Sequence, residues 1–102
     1  MEIKSKIDKG KLTIYLKGEL DEYSAQKVRV TIDNILAKEQ NVNGVVFDFS
    51  KTSFMDSTGI GVLIGRYKIL KKRDIPSFIL NPSLAVNKIF QLSGIYSIIP
   101  KI

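Results

Sequence analysis

The sequence predicts an α/β domain, a mixed β-sheet covered by helices, and three observations predict it. Short segments rich in alternating or β-branched residues recur along the chain. Stretches with helical periodicity separate them, and Gly, Asn, Pro and Asp punctuate the joins. With 102 residues, the chain has room for one sizeable core but not for two, so a single domain, 1–102, is expected.

Residues 2–7 and 11–17 alternate through Ile3, Ser5 and Ile7, then Leu12, Ile14 and Leu16. They read as two strands of a hairpin turning at Asp8-Lys9-Gly10. GELDEYS is a turn in which Asp21 can cap a helix running to about Lys38. That helix places Ala25, Val28, Ile32, Ile35 and Leu36 on one face. NVNG breaks the chain, and GVVFDFS, 44–50, has the density of a buried strand. A second helix spans Ser57 to Arg73, and IPSFILN supplies the next strand. Asn81-Pro82 should cap and start a third helix with Val86, Ile89 and Phe90 inward and Gly94 at its end. YSIIPKI is expected to close the domain as an edge strand, where Pro100 is tolerated.

Composition excludes several kinds of chemistry. The chain has no cysteine and no histidine, which removes disulfides, thiolate nucleophiles, Ser-His-Asp triads and ordinary zinc sites. No apolar run approaches the ~20 residues that a membrane-crossing helix needs. MEIKSKIDKG is too polar to read as a signal peptide, so the cytoplasm is the expected location. Sixteen Lys and Arg against ten Asp and Glu give a net charge of +6. The basic residues are dispersed, unlike the concentrated footprint of a nucleic-acid binder. Their longest cluster, KKR at 71–73, falls at a helix C-terminus, which favours positive charge by itself.

The chemistry concentrates in FMDSTGIGVL, 54–63, where a carboxylate, two hydroxyls and two glycines open the second helix. Free N–H groups near Thr58 and Gly59 could attract an anion, but neither phosphate-loop nor dinucleotide spacing is present. A hydrolase elbow needs glycine two residues before Ser57, where Met55 stands, and no histidine could take the proton. A phosphoryl-accepting aspartate would require an early acidic pair to accompany Asp48 or Asp56, and none appears. Ser57 itself reads as an N-cap. Asp56 reads as a turn residue beside it.

The helix that follows has two apolar sides. At about 100° per residue, Ile60, Leu63, Ile64, Tyr67 and Leu70 gather on one side. Thr58, Gly61, Val62, Gly65 and Ile69 lie roughly opposite, flanked by Lys68 and Lys72 and by Arg66 and Arg73. Glycine inside a helix costs ~1 kcal/mol against alanine, so two of them four residues apart require a reason. Either another helix crosses there, or the stripe docks a partner.

GELD at 18–21, FDFSKTSFMDSTGIGVLIGRYKIL at 47–70 and NPSLAVNKIFQLSGIYSII at 81–99 resemble the anti-sigma factor antagonists of the STAS domain family. The nearest likeness is to the branch that acts on sigma factor F in sporulation. It spans nearly the whole chain, with Asp-Ser-Thr at 56–58 where near relatives often carry Asp-Ser-Ser. The resemblance implies a STAS-type single domain, a non-enzymatic phosphoprotein of transcription regulation that works by partner switching. It implies that Ser57 is phosphorylated by an ATP-dependent anti-sigma factor that is itself a serine kinase. The unphosphorylated form would bind that anti-sigma factor and release sigma, and a serine phosphatase would restore it. The expected partner surface is Asp21, Asp56, Ser57, Thr58, Gly59, Gly61, Val62 and Gly65. No catalytic residue, metal or cofactor is expected, and no direct contact with DNA or membrane. A nucleotide-binding STAS module, using the N–H groups near Thr58 and Gly59, is the alternative.

Overall fold

The computed structural model describes all 102 residues. Strands β1 (Glu2–Asp8) and β2 (Lys11–Leu20) form the expected antiparallel hairpin, closed by the pair Asp8 and Lys11. Lys9 and Gly10 both take positive φ, 52° and 81°, as a tight two-residue hairpin turn demands. Helix α1 (Ala25–Lys38) follows, then β3 (Gly44–Asp48), β4 (Thr52–Met55), α2 (Ser57–Lys72), β5 (Ser77–Leu80) and α3 (Leu84–Ser93).

The sheet runs β1-β2-β3-β5, with β4 added beside β2. Strand β2 serves two parallel neighbours in succession. Its residues Lys11–Tyr15 pair with β3, and Gly18–Leu20 pair with β4 after an irregularity at Gly18. The short loop from β3 to β4 is held there by Gly18 N–H donating to Lys51 O at 3.0 Å and Thr52 Oγ1 donating to Leu16 O at 2.7 Å.

Helices pack on one face only. Leu12, Ile14 and Leu16 share that face with Val45, Phe47 and Ile79, and their core takes in Val28, Ile32, Leu63, Leu70 and Phe90 from the helices. Helix α1 buries most of the apolar stripe that its periodicity announced, whereas α2 buries Ile60, Leu63 and Leu70, leaves Ile64 and Tyr67 half-buried, and takes in Val62 as well. On the other face Lys11, Tyr15 and Lys17 stay exposed, and Val46 is buried without joining the core cluster.

Several local readings change. Residues 52–55 form a strand where none was expected. Ser24 stands just before α1 but its side chain makes no capping hydrogen bond; Asp21 caps the turn that leads into the helix, as expected, accepting from Tyr23 and Ser24 N–H. The cap of α3 is Ser83, whose Oγ accepts from Val86 N–H at 3.2 Å, and Pro82 lies before the helix. Gly94, at φ 76°, ends α3 as expected. YSIIPKI is not a strand: Ile95–Ser97 make a short 3₁₀ turn, and only Lys101 bridges β5, opposite Ile79. Ile95 and Ile99 are buried while Ser97 between them is exposed, whereas an alternating strand would turn all three to one face.

Candidate functional site

The parallel pairing of β2 with β4 builds the site. Leu20 is in register with Met55, so Asp21 and Asp56 leave neighbouring strand ends side by side. Asp56 is the N-cap of α2: its Oδ1 accepts from Thr58 N–H at 2.9 Å and from Gly59 N–H at 3.3 Å. Ser57 is thus the first residue inside the helix, not its cap, and it is exposed. Asp21 plays a parallel part in its own turn, with Oδ1 accepting from the N–H groups of Tyr23 and Ser24, each at 3.0 Å. Ser24 Oγ accepts from Asp21 N–H at 3.1 Å and donates to Glu19 O at 2.8 Å.

The expected partner surface divides in two. Ser57 and Gly61 are exposed, and Asp21, Asp56, Thr58 and Gly65 are half-buried. Val62 is completely buried and Gly59 is buried, so neither can meet a partner. Gly59 is glycine because a Cβ there would sit 2.8 Å from Met55 Cγ and 3.0 Å from Leu20 O. A Cβ on Gly61 or Gly65 would meet nothing within 4 Å. Of the two reasons open for those glycines, a crossing helix is thereby removed.

The flanking arginines also turn inward. Arg66 is buried with Nε 3.0 Å from Asp33 Oδ1, a close ion pair whose geometry falls short of an aligned hydrogen bond. Arg73 donates to Leu36 O at 3.0 Å and to Glu39 O at 3.1 Å, holding the C-terminus of α1. Helix α1 therefore covers the Val62–Arg66–Arg73 side of α2. The outward strip is Ser57, Gly61, Gly65, Lys68 and Lys72.

Two aromatic residues near the site escaped sequence reasoning. Tyr23 is 88% exposed in the Asp21 turn, and Phe54 is 49% exposed on β4, two residues before the cap. The available signal was their type: large aromatics inside otherwise polar turn segments. As for an anion at the start of α2, Asp56 already occupies the Thr58 and Gly59 N–H groups on which the nucleotide reading relied.

An exposed hydroxyl on a rigid helix start, beside a small-residue strip with no internal partner, defines a recognition surface more than a reaction centre. The family follows from comparison: the STAS domain model matches residues 2–102, and the chain belongs to the STAS family as an anti-sigma factor antagonist. It is 34% identical over 101 residues to the anti-sigma-B factor antagonist of Listeria monocytogenes, covering 97% of this chain and 84% of that one. It is 29% identical over 100 residues to the anti-sigma F factor antagonist of Paenibacillus polymyxa, covering 98% and 85%. The anti-sigma factor antagonist SpoIIAA in its unphosphorylated form superposes with a TM-score of 0.80 at 29% identity, over 99% of this chain and 88% of that one. The phosphorylated form of Bacillus SpoIIAA gives 0.71 at 28% identity, over 99% and 91%. No helix of the chain is long and apolar enough to cross a membrane.

Proposed function

We propose that the Ser57 surface binds an anti-sigma factor with serine kinase activity, and that phosphorylation of Ser57 switches the binding off. The observation that carries this reading is the division of labour at 56–57: Asp56 caps α2, and the exposed Ser57 hydroxyl has no structural duty. In the transfer, Ser57 Oγ forms a bond to the γ-phosphorus of ATP as the bond to the β-phosphate oxygen breaks. ADP leaves, and the hydroxyl proton passes to a base of the kinase. A serine phosphatase resets the switch by hydrolysis. Relatives named for sigma F and for sigma-B match at similar identity, so the partner is stated as a class.

The added group carries about −1.5 to −2 charge at neutral pH. At the first helical residue the helix dipole favours it by roughly 0.3–1 kcal/mol, so the fold stays intact. The effect falls on the interface, where the dianion and Asp56 would lose hydration against a partner. A penalty of ~3 kcal/mol weakens binding by more than ~10²-fold. Incubation with a candidate anti-sigma kinase and ATP, followed by mass spectrometry, tests the reading. Modification at Ser57 is expected, and modification only elsewhere sinks it.

A further inference from the structure

The sheet's uncovered face carries a feature that the switch does not use. Between Tyr15 and Gly18, β2 passes from one parallel neighbour to the next, and the β3–β4 loop arches over the gap. This leaves a notch of about 300 Å³, lined by Tyr15, Lys17, Asp48 and Lys51 and, from β1, by Glu2 and Lys4. It sits at the C-terminal end of parallel strands where pairing diverges, a place where open α/β sheets tend to bind ligands. Its volume is at the small end for ligand pockets.

The charges there are unbalanced in a specific way. Asp48 is only 8% exposed, and its Oδ1 accepts from Ser50 N–H at 2.8 Å. Its other oxygen has no protein partner and is not sealed from solvent, and Asp48 belongs to neither ion pair of the chain. The amines of Lys17 and Lys51 are also without one, and Lys4 reaches only Glu2, at 3.4 Å. Lys6 and Lys11 add positive charge to the same face, where Asp8 stands opposite Lys11. With Glu2 set against Lys4, the notch keeps Lys17 and Lys51 beside Asp48, an arrangement that suits a ligand anionic at one end and a hydrogen-bond donor at the other.

We infer that this notch binds a small phosphate monoester bearing a hydroxyl. The phosphate lies among Lys4, Lys17 and Lys51, and the hydroxyl donates to the open oxygen of Asp48. The site is separate from Ser57 and stands whether or not Ser57 is phosphorylated.

The test is a ¹⁵N NMR titration of the full chain with glycerol 3-phosphate and, separately, with inorganic phosphate, at constant ionic strength. Saturating shifts at Tyr15–Gly18 and Asp48–Lys51 are expected with the ester. The double variant Lys17→Met, Lys51→Met, altered only at exposed positions, should bind it at least ~10-fold more weakly. Asp48→Asn keeps the acceptor to Ser50 but loses the charge. It should weaken the ester and strengthen inorganic phosphate, which has no alcohol to offer and is repelled by the carboxylate. Shifts centred on Ser57–Gly59, linear shifts spread over surface lysines, or equal affinity in the double variant would each overturn the assignment. So would an Asp48→Asn protein that binds both ligands more tightly or both more weakly.

Discussion

The inward and outward sides of α2 are made of similar residues for opposite reasons. Gly59 and Gly61 stand two positions apart. The first is glycine because Met55 and Leu20 leave no room for a Cβ, the second where a Cβ would meet nothing. Ser57 and Asp56 divide likewise: the carboxylate holds the helix start, and the hydroxyl beside it holds nothing. The contrast teaches that on one short helix the residues that hold the fold differ from those left free at the surface, so each set can be altered alone.

The largest effect expected from testing that separation is on binding. Ser57→Asp should lose more than ~10²-fold in affinity for the anti-sigma factor, about 3 kcal/mol, with an unchanged melting curve. Calorimetric titration beside a thermal melt checks both halves, and tight binding by a folded variant would remove the electrostatic account of the outward side. Next comes Gly59→Ala. Its methyl must displace Met55 and the Leu20 carbonyl, which outweighs the gain in helix propensity and should cost about 2 kcal/mol in urea denaturation. A variant as stable as the parent would mean that the packing at Gly59 is slack.

Asp56→Ala should destabilise by about 1 kcal/mol through loss of the cap, whereas Ser57→Ala should stay within ~0.5 kcal/mol. Equal losses in the two would return capping to Ser57. Gly61→Ala should stabilise the fold by about 0.8 kcal/mol, because the new methyl meets nothing and the unfolded chain loses freedom. Destabilisation there would reveal a hidden contact. Asp21→Asn should change stability as little as Ser57→Ala, within ~0.5 kcal/mol, since the amide oxygen still accepts from Tyr23 and Ser24. Weaker binding by that variant would identify the charge itself as a contact to the partner.

Much of this is legible in the sequence. The hairpin at Lys9-Gly10, the buried face of α1 and the Gly94 stop follow from spacing and turn chemistry. The site segment 54–63 stood out for its polar residues among apolar ones. What failed did so for tertiary reasons. Residues 52–55 carry too little alternation to announce a strand, and β4 exists because β2 runs on to Leu20 and offers an unpaired edge. Helical angle alone puts Val62 on the partner side, but α1 packs against that flank and takes Val62, Arg66 and Arg73 with it. Tyr23 and Phe54 could not be assigned to the Ser57 surface until the pairing of Leu20 with Met55 set the two turns side by side.

The sequence by itself determined where helices and most strands begin and end, because capping, turn geometry and apolar period act between residues a few positions apart. Only the tertiary structure decided which helix faces are covered and which acids become neighbours. Those outcomes depend on elements distant in the chain, and nothing within a single helical turn records where its neighbour will lie.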